Sequence, residues 1–301
     1  MNNPLLTNIC GVELKNPVIA ASGVFGYGAE YNELFDVSIL GGIAGKGLTL
    51  SGSAGNRGER ICETPSGMLN SIGLQNNGVK HFVEVDCAQM RSHGCAVIAN
   101  LGGHCEQDYT EGARLLNDAD IDLLELNISC PNVRQGGMAF GMNVHDAFDV
   151  TRKVKDITRF PLVVKLTPNA PDVVAVARAC ASAGADALSL VNTFLGMAID
   201  LNARKPFFDN VYAGLSGPAI RPIALRLVHQ VAHSVDIPVI GMGGIASCED
   251  ALAFIMAGAR AVQVGAAIFS DYTCVARIID GLRDYCVRNR LSNIGEICGI
   301  V

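Results

Sequence analysis

The segment LNISCPNVRQGGMAFG, residues 126–141, brings a cysteine to the end of an apolar run. The run IDLLELN ends at Asn127, and Cys130 follows three positions later, directly before Pro131. Because a proline disfavours helix at the residue before it, Cys130 is expected in an extended segment. Gly136 and Gly137 then provide a hinge on which the loop could close and exclude water. The role of the thiol therefore depends on where this strand ends in the fold.

Two lysines interrupt runs that are otherwise apolar, Lys46 in GGIAGKGL and Lys165 in LVVKLTP. A buried charge needs an anionic or strongly polar partner. For either lysine alone, a structural ion pair with a neighbouring carboxylate is an equally good explanation. Two such lysines on different strands favour a bound anion. Lys165 would also suit a Schiff-base mechanism, because desolvation lowers the pKa of an amine.

Glycines follow the last two apolar runs, in GMGGI (241–245) and QVGAA (263–267). Without side chains, these positions let backbone N–H groups approach a phosphate, and Gly217 in LSGPAI is a further candidate donor. No acidic residue ends a strand about 20 residues after GMGGI, as the ribose contact of a dinucleotide fold requires. The pattern therefore favours a single phosphate on a mononucleotide or a sugar phosphate.

Asparagines recur at strand ends and in loops. A side-chain amide both donates and accepts hydrogen bonds, so several converging amides could recognise a flat polar ring that carries C=O and N–H groups. A single asparagine is otherwise most often a turn or cap residue. The candidates for the ring-binding role are Asn70, Asn100, Asn127, Asn132 and Asn192.

Eight short apolar runs recur along the chain, each ending in Gly, Ser, Asn or Lys and followed by a longer segment that often has helical periodicity. Near-continuous apolar strands are typical of a parallel sheet that is covered on both faces. The pattern predicts a (β/α)8 barrel formed by residues 1–301 as a single domain, with a doubly wound sheet as the alternative. The runs are 17–22, 41–48, 96–103, 123–130, 162–168, 187–193, 238–245 and 261–268.

Three connections are unusually long, 49–80 after strand 2, 131–145 after strand 4 and 194–220 after strand 6. All three follow the C-terminal end of a strand, which is where barrels of this class hold their active sites. Segment 5–16 is expected to form a hairpin that covers the opposite end, the barrel floor.

Composition excludes several classes of function. A net charge of −6 argues against a nucleic-acid binder or a polybasic membrane anchor. No apolar stretch reaches the roughly 18 residues of a membrane span, and no signal-peptide pattern is present. The closest spacing among the eleven cysteines is Cys87 to Cys95, so no cysteine pair starts a zinc or iron–sulfur site. These features predict a cytoplasmic protein without a metal site, and its low charge content of 17 % favours an oligomer.

The motifs GMLNSIGLQN, NISCPNV, KLTPN, GLSGPAI, GMGGI and QVG occur together in this order. In this combination the sequence resembles the class 1 dihydroorotate dehydrogenases, over nearly the whole chain from NPVIAASGVFG to IIDGL. The segments ETPSGMLN, GGMAFG and NTFLGMAID make it most similar to the NAD+-linked class 1B catalytic subunits rather than to the fumarate-using class 1A.

The resemblance implies an FMN-containing (β/α)8 barrel that oxidises dihydroorotate to orotate in de novo pyrimidine (UMP) biosynthesis. It makes Cys130 the general base that takes the proton from carbon 5, while the flavin accepts the hydride from carbon 6. The implied substrate contacts are Lys46, Asn70, Ser71, Ile72, Gly73, Leu74, Asn127, Asn192 and Thr193. The implied flavin contacts are Ser22, Lys46, Asn100, Asn127, Lys165 and Val191, with Gly217, Gly243, Gly244, Gly265 and Ala266 around the phosphate.

The resemblance also implies that electrons leave through a second polypeptide. That electron-transfer subunit would carry FAD and a [2Fe–2S] cluster, deliver the electrons to NAD+ and form a heterotetramer of two catalytic and two electron-transfer chains. Alternatives are a Schiff-base aldolase or lyase that uses Lys165 with a phosphorylated substrate, another flavin enzyme acting on a related dihydropyrimidine, and a non-catalytic nucleotide-binding barrel.

Overall fold

Eight parallel strands form a closed barrel in the computed structural model, which describes residues 3–129 and 137–301 and, for 137–139, the backbone alone. Each strand pairs with the next one in the chain, and the eighth pairs with the first. The predicted (β/α)8 barrel is therefore confirmed, and the doubly wound alternative is wrong. The strands are Val18–Ala20, Gly42–Ala44, Ala96–Leu101, Leu123–Asn127, Leu162–Lys165, Ala187–Leu190, Val239–Met242 and Ala259–Val264.

Helices surround the barrel, and local sequence explains where several of them begin. Asp172 caps Val173–Ser182 by accepting a hydrogen bond from the backbone N–H of Ala175. Ser247 and Asp250 form a capping box at the start of Cys248–Met256. The other long helices are Glu106–Leu116, Val144–Lys155, Arg221–Ala232 and Cys274–Asn289. Shorter helical segments are Ala29–Asn32, Val37–Ile39, Val79–His81, Phe82–Asp86, Cys87–Ser92, Gly137–Met142, Pro218–Ile220, Ala267–Ser270 and Ile294–Ile297.

The lower half of the barrel interior is an apolar plug to which every strand contributes one residue. These residues are Ile19, Ala44, Ile98, Leu123, Val163, Ala187, Ile240 and Ala261. Ile9 and Leu14 join the same cluster from the antiparallel hairpin Thr7–Ile9/Val12–Leu14. The predicted hairpin at the barrel floor is confirmed. Because apolar side chains close this end, a polar site has room only at the C-terminal end of the strands.

Two of the long connections join to form an antiparallel sheet. Its strand order is Phe194–Met197, Tyr212–Ser216, Gly67–Asn70 and Ile61–Thr64, and we call it the mouth sheet. Its strands come from the segments after barrel strands 2 and 6, which lie on opposite sides of an eight-stranded ring. Their pairing therefore carries the mouth sheet across the barrel opening. The segment after strand 6 also contains the small ladder Ile199–Asp200/Lys205–Pro206.

No helix within residues 3–129 and 137–301 combines the length and the apolar character needed to cross a lipid bilayer.

Candidate active site

A cavity of about 810 Å³ lies between the C-terminal strand ends and the mouth sheet. Most of the residues that the sequence assigned to a site line this cavity. They are Ser22, Lys46, Asn70, Ile72, Gly73, Leu74, Asn100, Asn127, Lys165, Val191, Asn192, Thr193, Gly217, Gly243, Gly244, Gly265 and Ala266. They are separated by up to 244 positions in the chain and meet only because the barrel closes.

Among the described residues, Ser71 is the predicted site residue that does not line the cavity. Ser71 is buried, and its hydroxyl accepts hydrogen bonds from the side-chain amides of Asn56 and Asn210, at 2.9 Å and 3.3 Å. Its contacts therefore stabilise the connection from which Asn70 and Ile72 reach the cavity. Cys130 lies outside the described residues, as does Asn132.

A fully buried carboxylate, that of Glu125, lies among the cavity-lining polar side chains. Its Oε1 accepts hydrogen bonds from Ser189 Oγ at 2.8 Å and from Gln263 Nε2 at 2.7 Å. Its Oε2 accepts one from Asn100 Nδ2 at 2.5 Å and is 3.7 Å from Lys165 Nζ. Five barrel strands thus contribute to one polar cluster.

Lys165 is 3 % exposed and has two partners, because it also donates to Ser22 Oγ at 3.0 Å. Lys165 therefore forms a structural ion pair with a neighbouring carboxylate, which was one of the two explanations for a buried lysine. Its side chain also lines the cavity. A buried ion pair that holds an ammonium in one place preorganises positive charge at the cavity wall.

The strand-end asparagines form a hydrogen-bonded chain. Asn127 Nδ2 donates to Asn100 Oδ1 at 3.2 Å, and Asn127 Oδ1 accepts from the hydroxyl of Ser129 at 2.7 Å. Ser129 Oγ in turn accepts from Asn192 Nδ2 at 2.8 Å. Tyr109 adds support by donating from its hydroxyl to the carbonyl of Asn127 at 3.0 Å. Three of the five predicted amides, those of Asn100, Asn127 and Asn192, are thus linked in the folded chain, each with a defined orientation.

The mouth sheet positions the residues on the opposite side of the cavity. Asn70 Nδ2 donates to the carbonyl of Gly214 at 3.2 Å, across the pairing of two mouth-sheet strands. Thr193 lies so close to Gly214 that a Cβ there would be 2.7 Å from Thr193 Cβ. Asn169 Nδ2 donates to the Thr193 carbonyl at 3.1 Å. Thr193 is therefore held both by a barrel connection and by the mouth sheet.

The glycines of the predicted phosphate site serve different purposes. Gly217 and Gly244 have φ of 100° and 75°, and a Cβ on Gly244 would lie 2.7 Å from the Gly217 carbonyl oxygen. Close approach of these two loops therefore requires glycine. Gly265 is different, because a Cβ there would have Ala21 Cβ as its nearest neighbour, at an ordinary 3.6 Å. Gly265 is the position where the cavity wall can be changed with the least disturbance of the backbone.

Cys274 is the cysteine that lines the cavity among the described residues. Burial, together with the nearby carboxylate of Asp271, raises the pKa of its thiol to about 11. A thiol with that pKa stays protonated near neutral pH, so Cys274 is poorly suited to act as a base.

The cavity fits a flavin mononucleotide, the cofactor that the resemblance implies. Gln263 is 1 % exposed, and its Oε1 is a buried acceptor without a partner among the described residues. A ring that presents an N–H group to the cavity would satisfy it. Lys46 and Lys165 supply positive charge for an anionic ligand. The volume of the cavity lies within the range of roughly 300–1,000 Å³ that is usual for ligand sites.

The described residues contain no group of three or more His, Cys, Asp or Glu side chains that could hold a metal ion.

The sequence reasoning missed Gln263, which lines the cavity, Glu125, to which Gln263 donates, and Ser189, which supports Glu125 from outside the cavity. All three interrupt apolar runs, in LLELN, ALSLV and AVQVG. The argument applied to Lys46 and Lys165, that a buried polar group needs a partner, would have found Glu125 as the matching carboxylate. Tyr109 carried no such signal, because an aromatic residue in a helix is ordinarily a core residue.

Comparisons with known proteins find relatives over nearly the whole chain. The family model for dihydroorotate dehydrogenase matches residues 4–285. The chain is 51 % identical over 294 residues to the dihydroorotate dehydrogenase B (NAD(+)) catalytic subunit of Petrotoga mobilis, a match that covers 98 % of both chains. The proteins of the same name from Thermoanaerobacter sp. (strain X514) and Porphyromonas gingivalis are each 49 % identical. These matches cover 98 % of both chains for the first, and 96 % of this chain and 94 % of the relative for the second.

Proposed function

Because the chain belongs to the dihydroorotate dehydrogenase family, as its motifs predict, we propose that it oxidises dihydroorotate to orotate in pyrimidine biosynthesis. One observation carries the proposal: two lysines and three strand-end asparagines converge on a single cavity at the C-terminal end of the barrel. These residues are Lys46, Lys165, Asn100, Asn127 and Asn192. A flat substrate with an anionic carboxylate and alternating C=O and N–H groups suits this donor set.

We assign FMN to the barrel side of the cavity. When bound, FMN would supply the acceptor for the hydride that leaves carbon 6 of dihydroorotate. Lys165 would place a fixed positive charge against the ring, and Gln263 Oε1 would accept a hydrogen bond from it. Ser22, Asn100, Asn127 and Val191 would complete the ring contacts, and Gly217, Gly243, Gly244, Gly265 and Ala266 would surround the phosphate.

We assign dihydroorotate to the side that faces the mouth sheet. Lys46 would neutralise an anionic group of the substrate. The run from Asn70 to Leu74 would contact it together with Asn127, Asn192 and Thr193, and Ser71 would act by holding that run in place. The double support of Thr193 and the fixed amide of Asn70 are suited to hold a ring in one orientation.

Cys130 is the proposed base that takes the proton from carbon 5. It directly follows Ser129, a buried residue whose hydroxyl is bonded to Asn127 and Asn192. Only the thiolate accepts a proton, and an ordinary cysteine has a pKa of ~8.5. The raised pKa of Cys274, the cysteine that lines the cavity among the described residues, disfavours that thiol for this role.

The decisive experiment is an anaerobic absorbance spectrum of the purified protein before and after addition of dihydroorotate. We expect a yellow protein whose flavin absorbance is bleached by the substrate. A colourless protein, or a yellow one that dihydroorotate leaves unchanged, would contradict the proposal. Covalent trapping of a phosphorylated carbonyl compound on Lys165 by borohydride would instead support the lyase alternative.

Electrons are proposed to leave through a partner chain. The relatives are named catalytic subunits of an NAD(+) enzyme, which supports a second subunit and NAD+ as the final acceptor. We propose that the partner carries FAD and a [2Fe–2S] cluster, and that two copies of each chain form a cytoplasmic heterotetramer. Within it, residues 1–301 would act as a single FMN-binding domain.

A further inference from the structure

The buried carboxylate of Glu125 receives hydrogen-bond donors on both of its oxygens. Ser189 and Gln263 donate to Oε1, whereas Asn100 and Lys165 approach Oε2. We propose that Glu125 is a positioning residue: it fixes the amide orientation of Asn100 and Gln263, and with it the donor and acceptor pattern that the cavity presents to the flavin. The inference rests on the FMN assignment proposed above.

The first step is the orientation of the two cavity-lining amides. A carboxylate accepts hydrogen bonds and donates none, so each amide must turn its NH2 group towards Glu125. Asn100 then directs Oδ1 to Asn127, and Gln263 leaves Oε1 as an acceptor that has no partner within residues 3–129 and 137–301. The acceptor that the cavity offers at Gln263 is therefore a consequence of the charge at position 125.

The second step is that Asn100 cannot turn over without breaking other bonds. Asn127 Nδ2 donates to Asn100 Oδ1, and Asn127 is itself held because its Oδ1 accepts from the backbone N–H of Ser129 at 3.2 Å. The residue at position 125 must consequently accept on the side that faces Asn100.

The third step follows when Glu125 becomes glutamine. A glutamine side chain of the same shape has one acceptor oxygen and one NH2 group. If its oxygen serves Asn100, its NH2 meets the NH2 of Gln263, whereas the hydroxyl of Ser189 can rotate and accept. Either Gln263 turns over and presents a donor to the cavity, or two donors remain opposed. Both outcomes change the cavity wall where the flavin would bind.

The test compares FMN binding and flavin reduction potential in the wild-type chain and in Glu125→Gln. Leaving a buried polar group unpaired should weaken the binding of FMN to the apoprotein by about 5- to 150-fold. Loss of the negative charge beside Lys165 should favour reduced over oxidised FMN by about tenfold, which for a two-electron couple raises the potential by about 30 mV.

Two further variants separate positioning from a general loss of stability. Ser189→Ala removes a donor from the same carboxylate oxygen, but Ser189 does not line the cavity, so affinity and potential should stay within about threefold of wild type. Glu125→Gln combined with Gln263→Glu exchanges the two groups: the new glutamine accepts from Asn100 and donates to the new carboxylate, which again offers an acceptor to the cavity. We expect this double variant to regain FMN affinity within about fivefold of wild type.

The outcomes are distinct. If Glu125→Gln only lowers the melting temperature and leaves affinity and potential at wild-type values, Glu125 is purely structural and the inference is wrong. If the single variant does not fold, the double variant decides, since its failure to fold or to bind FMN overturns the inference. A wild-type chain that binds no FMN would overturn the proposed function itself.

Discussion

Gly214 offers a substitution that displaces a proposed substrate contact without removing any polar group. It lies in mouth-sheet strand Tyr212–Ser216, and Thr193 packs directly against it. A Cβ at position 214 would lie 2.1 Å from Thr193 Oγ1 and 2.7 Å from Thr193 Cβ. Gly214 is not among the positive-φ glycines, so alanine suits its backbone conformation. Gly214→Ala therefore acts through this contact with Thr193.

The expected effect follows from these distances. Rotation about χ1 moves Thr193 Oγ1 but not Cβ, so the two Cβ atoms must separate from 2.7 Å, and ordinary contact at 3.4 Å corresponds to a shift of 0.7 Å. A misplacement of about 1 Å can cost roughly 100-fold in rate. We expect kcat/KM for dihydroorotate to fall by about 10- to 100-fold, or roughly 1.4–2.7 kcal/mol in transition-state stabilisation. Overpacking should lower the free energy of unfolding by about 1–3 kcal/mol, which a folded domain tolerates.

The assay is anaerobic flavin reduction at a series of dihydroorotate concentrations, with the FMN content of each preparation measured by absorbance. FMN content should match wild type, because the displaced residue is assigned to the substrate side. Gly196→Ala is the matched control in the neighbouring strand, since its Cβ would meet Leu69 Cδ2, the far end of a side chain that can change rotamer, at 2.9 Å. A Gly214→Ala enzyme within threefold of the control would refute the assignment of Thr193 as a precisely held substrate contact.

Three further predictions concern the base, the phosphate and the electron acceptor. Cys130→Ala should retain FMN and bind orotate but reduce the flavin orders of magnitude more slowly, and near-wild-type reduction would remove this thiol from the mechanism. In Cys130→Ser the rate of flavin reduction should recover partly as pH rises, because a hydroxyl is a weaker acid than a thiol. Gly265→Asp should purify largely colourless, because it places a negative charge in the cavity wall where the phosphate is assigned, whereas Gly265→Ala should stay yellow. A full content of flavin in the aspartate variant would contradict the phosphate assignment. The isolated chain should reduce an artificial dye with dihydroorotate but form almost no NADH, and efficient NADH formation, or fast turnover with fumarate, would contradict the partner proposal.

The barrel was predictable because its strands are buried on both faces and therefore form almost continuous apolar runs. The ends of the strands were less predictable. The run 41–48 contains a strand of only three residues, Gly42–Ala44, yet Leu48 beyond it is also fully buried and forms an isolated bridge to Leu101 of the next strand. The eighth strand begins at Ala259, two residues before the predicted start at 261. The prediction started too late because the exposed Arg260 interrupts the apolar pattern of the strand. Apolar runs thus report burial, whereas strand ends depend on backbone pairing.

The site was predictable where a residue type is unusual for its local surroundings. Lys46 and Lys165 stand out in apolar runs, and the glycines of GMGGI stand out by their number. The contacts between site residues could not be predicted in this way. Gln263 donates to Glu125 across 138 positions of sequence, and Asn70 donates to Gly214 across 144. Such pairs depend on barrel closure and on the pairing of two long connections, neither of which has a local signature.

The two sides of the cavity are built from different parts of the fold, and this separates their functions. Glu125, Lys165 and Gln263 lie in barrel strands, whose hydrogen-bonded neighbours on both sides hold them rigidly. Asn70 and Thr193 lie in or beside the mouth sheet, which belongs to the connections. The barrel side should therefore govern the affinity and potential of the flavin, and the mouth sheet should govern the orientation of the substrate. Glu125 and Gly214 share no hydrogen-bond partner among the described contacts, so changes at these two positions act on separate properties of one cavity.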